Sequence, residues 1–232
     1  MDGADKAMGR TRQLVLDLAR DPAFDVEDFL VSPSNDDAFH LIDRWPDWPS
    51  HMLVLTGPPG SGKSHLAAIW ARHVGARVVR HHETIDPCLL AGSAAVLLED
   101  CDRTMRADAD LFHLINLMKE TGGWLLLTAR TQPDQWRLGT ADLLSRLRLS
   151  PLAQIGVPNA ELVRAVLVKL FADRQIRIDE DLVAYATLHL EQSLEAVTRF
   201  VQAVDDAALS SGRRITRPLV AATIALLQRE DP

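Results

Sequence analysis

The residues best suited to chemistry are Gly57-Pro58-Pro59-Gly60-Ser61-Gly62-Lys63-Ser64. Every fixed position of G-x-x-x-x-G-K-[ST] is filled. Glycines at these spacings let a backbone wrap close to phosphate with its N–H groups turned inward. Lys63 brings positive charge to the β and γ phosphates, and Ser64 offers a hydroxyl to Mg²⁺. Pro58, Gly60, Ser61, Gly62 and the adjacent His65 complete the set of nucleotide-binding candidates. Phosphoryl chemistry also needs a carboxylate at the end of a neighbouring strand. Val96-Leu97-Leu98-Glu99-Asp100 meets that need, so that Glu99, Asp100 and Ser64 form a candidate Mg²⁺ shell. One acid holds the ion and the next orients water. Which acid takes which role is open at this point, and Asp102 is close by.

Such residues must be held by strands and helices in a set order. Met52 to Thr56 reads as a buried strand running into the glycine loop, and Lys63 to His73 as a helix starting from it. A helix that begins at this loop points its amino terminus at the anion. Arg77 to Arg80, Ala94 to Leu98 and Trp124 to Leu127 read as further strands, the last ending at Thr128. Asp108 to Thr121 reads as a helix with Leu111, Ile115 and Met118 on one face. Strands alternating with helices imply a parallel sheet covered on both faces.

Beyond Pro158 the pattern turns to helices alone. Asn159 can cap one through about Asp173, Asp179 a second, and Thr216 a fourth with Pro218 in its first turn. The third spans Ser193 to Leu209 and stops near Gly212. The expected organisation is an amino-terminal segment over 1–22, a nucleotide-binding base over 23–157 and a helical lid over 158–232. Met1 to Arg12 is small and polar and is expected to be mobile. The apolar island Gln13-Leu14-Val15-Leu16-Asp17-Leu18 follows it.

Bulk properties narrow the classes. Hydrophobic residues make up 47% of 232, enough for a sizeable core, and the net charge is −7. That balance argues against a protein whose main work is gripping nucleic acid, so no strong direct DNA binding is expected. Cys88 and Cys101 show neither CxxC nor zinc spacing. No apolar run approaches membrane-spanning length, which points to a cytoplasmic chain without a membrane partner. The histidines read as surface residues. Trp45 and Trp48 read as a packed loop before the first strand, and the five tryptophans form no recognisable stacking platform.

Several segments together resemble the DnaA branch of the AAA+ proteins. Phe24-Asp25-Val26-Glu27-Asp28-Phe29-Leu30-Val31, with Ser34-Asn35 and Ala38, resembles the opening of that module, where adenine is held. Trp124 to Thr128 resembles sensor 1, with Thr128 as its polar tip. Asp142-Leu143-Leu144-Ser145-Arg146-Leu147 resembles the box whose arginine is a finger for a neighbouring subunit, with Arg148 as an understudy. The helices after Pro158 resemble the lid. The resemblance implies an AAA+ P-loop parallel sheet sandwiched by helices, followed by a small all-helical lid. It covers about residues 23 to 232, and no helix-turn-helix domain is expected after the lid. That pattern is similar to the short DnaA homologues of the Hda group, which work with the replicative sliding clamp and make DnaA hydrolyse its ATP. By the same resemblance Gln13, Leu14, Leu16 and Leu18 form a clamp-docking peptide, an extended segment that sets apolar side chains in a preformed groove. The implied partners are the DNA polymerase III β clamp and DnaA, and self-association is left open.

Two departures from the DnaA pattern matter. The sensor 2 arginine of the lid's third helix falls on Gln192 in Glu191-Gln192-Ser193-Leu194-Glu195, and Arg199 has the wrong spacing to replace it. Glu99 stands where the first Walker B aspartate is usual. Both count against strong intrinsic ATPase activity and leave ADP and ATP open as the resident ligand, with Mg²⁺. The rival expectations are a self-sufficient AAA+ ATPase or loader for a helicase or other DNA-processing partner, and a DNA-binding initiator.

Overall fold

The computed structural model describes residues 29–86, 90, 92–103, 108–211 and 214–230. The clamp-docking residues Gln13, Leu14, Leu16 and Leu18 lie outside the described residues, as do Phe24 to Asp28 of the opening segment.

Strands β1 (Met52–Thr56), β2 (Arg77–Val79), β3 (Ala95–Leu98), β4 (Trp124–Ala129) and β5 (Leu152–Gln154) form a parallel sheet in the order β2-β3-β4-β1-β5. All five residues of β1 and all four of β3 are buried, as unbroken apolar runs in a doubly covered sheet should be. Alternation divides them between two cores. Val54, Val96, Leu98, Leu125 and Leu127 pack on helices α3 (Asp108–Thr121) and α4 (Ala141–Arg148). Leu53, Leu55, Leu97 and Leu126 pack on α1 (Asp36–Asp43) and α2 (Lys63–Val74). Trp48 belongs to this second core. It stacks on Trp70 at 5.2 Å and donates its ring N–H to the Ile42 carbonyl at 3.2 Å, which closes the loop before β1.

The remaining helices are α5 (Ala160–Asp173), α6 (Glu180–His189), α7 (Leu194–Ser211) and α8 (Arg217–Glu230). They enclose a separate core in which Phe171 and Phe200 meet edge to face. Asn159 caps α5 by accepting from the Leu162 N–H at 2.8 Å. Asp179 stands at the cap position of α6, but its side chain makes no capping bond. The Leu182 N–H that it would serve is already bonded to the Asp179 carbonyl at 3.0 Å. Among the described residues no helix is long and apolar enough to cross a membrane.

The sequence does not predict α1 or β5. Each is short: α1 buries only Ala38 and Ile42, and β5 alternates exposed, buried, exposed around Ala153. Helix α1 is amphipathic but only 8 residues long and β5 only 3, too short for periodicity to stand out from a loop.

Candidate nucleotide site and arginine-bearing groove

The phosphate loop follows the carboxyl end of β1, which lies between β4 and β5, and open α/β sheets bind ligands at the carboxyl ends of their strands. Gly60 and Gly62 take φ of +66° and +99°, a region that side chains disfavour. A Cβ on Gly60 would lie 2.0 Å from the Ser193 hydroxyl. The Ser61 hydroxyl is buried with no hydrogen-bond partner among the described residues. Lys63, only 7% exposed, donates its Nζ to the Pro58 carbonyl at 2.8 Å, so the loop folds back over its own cation. Burial lowers the pKa of Lys63, against the opposing pull of Asp100, Asp102 and Glu195, while Arg130 adds to the lowering. Ser64 stands in the first turn of α2 and is exposed. His65 is half-buried and lies edge-on to Phe29, whose other neighbour is the stacked ring of Phe39. A glycine cradle, an orphaned hydroxyl, a buried ammonium and a helix amino terminus together fit a polyphosphate.

The acid loop after β3 is pinned by β4. The Asp100 N–H donates to the Thr128 hydroxyl at 3.0 Å, and the Cys101 N–H to the Thr128 carbonyl at 2.8 Å. These bonds hold Asp100 at a φ of +50°. Thr128 therefore fixes the backbone of the residue whose carboxylate acts most strongly on Lys63, and that carboxylate accepts from Arg103 at 3.3 Å. Glu99 has different neighbours. Its pKa is raised by burial and next by Asp100, while Arg80 and His81 pull it down. The two acids thus differ in surroundings: Asp100 belongs to the loop side, and Glu99 sits above the β2 edge. Asp102 braces the end of β4, accepting from the Arg130 N–H at 3.0 Å.

Asn35 is buried, and both ends of its amide are engaged in its own turn. It accepts from the Ser32 N–H at 2.7 Å and donates to the Leu30 carbonyl at 3.0 Å. It shapes the backbone beside Phe29 rather than offering a free group. Gln192 is exposed. The residues after it contact the loop: the Leu194 N–H donates to the Gly60 carbonyl at 2.7 Å. The amino terminus of α7 rests on the glycine turn through Ser193 and Leu194. Nothing in the sequence pattern singles these residues out, because their importance arises from tertiary contact.

Arg146 lies elsewhere. It lines a groove with Met52 and Leu125, at the amino-terminal ends of β1 and β4. Its side chain is about one-third exposed. The guanidinium stacks 4.5 Å above the Phe112 ring and donates to Asn116 at 2.8 Å and Asp142 at 3.3 Å. The Asp142 contact is the i,i+4 pairing that a helix favours and is legible in the sequence. Phe112 and Asn116 come from α3, about 30 residues away in the chain, and are not. Arg148 points to Asp134, whose carboxylate accepts from its Nε at 2.7 Å.

Solved structures share this architecture. Domain III of the Thermotoga maritima replication initiation protein DnaA matches with a TM-score of 0.75 at 15% identity, over 88% of this chain and 96% of that one. The replication initiator DnaA bound to AMPPCP and single-stranded DNA gives 0.65 at 14% identity, over 83% and 69%. A Thermotoga maritima RuvB structure gives 0.68 at 14%, over 88% and 72%. The chain therefore has a DnaA-like AAA+ fold. No protein-family model matches the sequence, and no curated protein matches it.

Proposed function

We propose that this protein is a DnaA-related AAA+ regulator of the Hda kind. It binds adenine nucleotide at Gly57 to Ser64. It docks on the sliding clamp through Gln13, Leu14, Leu16 and Leu18, and it presents Arg146 to ATP held by DnaA. Hydrolysis by DnaA then restrains initiation. Structures of AMPPCP-bound DnaA support an adenine ligand for a site of this fold. Ser64, Glu99 and Asp100 would hold Mg²⁺, which supplies charge neutralisation to the phosphates when bound.

The observation that carries the reading is the position of Arg146. The length of β1, about 15 Å at the usual strand rise, separates it from the protein's own phosphate loop. A partly exposed arginine aimed by an aromatic face, an amide and a carboxylate suits an anion brought from outside. An arginine supplied in trans stabilises charge on a transferring phosphoryl group and is worth about 10³–10⁵ in rate. Arg146→Ala is therefore expected to keep its fold, nucleotide and clamp contact, and to lose about 10³-fold in stimulating ATP hydrolysis by DnaA with clamp loaded on DNA. Stimulation equal to the parent would overturn the reading. Gln13→Ala with Leu16→Ala is the matching control, which should lose clamp co-elution and keep nucleotide.

The assembled Lys63, Asp100 and Thr128 also support a second reading, a self-sufficient AAA+ ATPase or loader acting on a helicase or other DNA-processing partner. Basal ATP turnover that collapses in Asp100→Asn would favour it.

A further inference from the structure

The groove beside Arg146 holds more than the arginine. It encloses about 280 Å³, with Met52, Ile115, Met118 and Leu125 as its apolar floor. Lys119, His51 and Arg146 stand around it. Among the described residues no acidic side chain lines it, although the chain as a whole carries −7. Lys119 is exposed and forms no ion pair among the described residues. Leu149, next to Arg146 in the groove, is 82% exposed.

Lys119 and Arg146 occupy the last turns of α3 and α4. A cation there ordinarily offsets the carbonyl end of its own helix. That role does not require two helices to deliver their cations to the same groove. The side chains also differ in restraint. Arg146 is fixed by Phe112, Asn116 and Asp142, whereas Lys119 is a flexible point charge. A planar fork suits one defined oxygen geometry, and an ammonium suits a diffuse anion that it follows through changes of shape.

We propose that this groove receives the phosphate-bearing face of a second subunit loaded with a nucleoside triphosphate, and that Lys119 is a second cation for that triphosphate. The proposal rests on the finger reading of Arg146 and adds a division of labour to it. Arg146 acts on the charge of the transition state. Lys119 holds the ground state and the transition state alike, so it sets how tightly the loaded partner is held rather than how fast the bound complex reacts. Leu149 fills the apolar side of the same contact.

The test is a titration of ATP-loaded DnaA with this protein and clamp loaded on DNA, reading the half-saturating concentration and the plateau rate separately. Lys119→Ala should raise the half-saturating concentration about tenfold, flatten its dependence on salt and leave the plateau near the parent value. Lys119→Arg should restore it in large part, and Leu149→Ser should weaken association without altering the salt slope. Direct binding to ADP-loaded DnaA should change less in Lys119→Ala than binding to the ATP-loaded form. Parental half-saturation and salt slope in Lys119→Ala would overturn the proposal, and so would equal losses for the ADP-loaded and ATP-loaded partner. If Arg146→Ala loses the plateau while Lys119→Ala behaves as the parent, only this proposal falls. If Arg146→Ala itself is silent, the finger reading falls first.

Discussion

The two ends of the sheet solve opposite problems. At the carboxyl end of β1 the cation is buried, pinned to its own loop and compensated by carboxylates within the same fold. At the amino-terminal end the cation is one-third exposed and held by side chains of two helices. Burying Lys63 costs desolvation, which lowers its pKa, and an anion entering the loop offsets that cost. Leaving Arg146 partly exposed avoids the cost but leaves its long side chain conformationally free unless something holds it. Phe112, Asn116 and Asp142 supply that restraint. A buried charge is thus prepared for a ligand that enters the protein. On the proposed reading, a surface charge held in one rotamer serves a ligand that another protein carries.

The first way to break this comparison is Lys63→Ala. Nucleotide affinity should fall about a hundredfold or more, because no other cation of the loop donates to the phosphates. At ligand concentrations about 100 times the parental dissociation constant, the parent should gain about 5–10 °C in Tm and the variant should gain almost none. Without nucleotide the order should reverse or vanish, since the variant no longer buries a lowered-pKa ammonium. Isothermal calorimetry and melting with and without ADP measure both. A variant that binds ADP like the parent removes the assignment of the loop.

The sequence and the structure agree unevenly across these two ends, for a physical reason. The loop is contiguous, and its chemistry is fixed by residues within one turn of each other, so Gly57 to Ser64 and the strand and helix around it are legible directly. Thr128 and Asp100 are also legible one at a time, because each ends an apolar strand. Their mutual bond is not, since it depends on β3 and β4 being neighbours in the sheet. The same holds for Ser193 and Leu194 on Gly60, which need the lid helix to be placed before they mean anything. Arg146 is visible only through a family resemblance. Its restraints from α3 depend on two helices crossing the same face of the sheet, which periodicity does not specify.

Those restraints give the next prediction. Asn116→Ala removes an amide that accepts from the guanidinium but leaves the arginine, the core and the phosphate loop untouched. The loss in stimulated hydrolysis should be about ten- to a hundredfold, the usual range for a misplaced but present group. Phe112→Leu should behave similarly, and both should keep parental ADP affinity. The discriminating readout is the plateau rate at saturating protein. A change confined to half-saturation would mean that α3 contacts the partner directly instead of aiming the arginine.

The smallest expected effect separates the two acids of the loop that follows β3. Glu99 has its pKa raised, by burial first and by Asp100 second. A carboxyl group whose folded pKa lies above its unfolded value favours the folded state when protonated. Its contribution is fully present below the unfolded pKa and is lost as pH rises through the folded pKa. At neutral pH the folded protein therefore bears the cost of an ionised, half-buried Glu99. Glu99→Gln should remove it and raise the Tm of the nucleotide-free protein by about 1–3 °C at about pH 7. The gain should shrink as pH falls through the folded pKa and disappear below the ordinary carboxylate range. Asp100→Asn, at a backbone φ of +50° and facing Lys63, should not follow this pattern. It withdraws the carboxylate that acts most strongly on the buried ammonium, so its Tm should fall. Melting curves from about pH 4 to about pH 8 on the two variants decide the matter. If both variants respond alike, the acids share one environment, and the distinction drawn between Glu99 at the β2 edge and Asp100 at the loop does not hold.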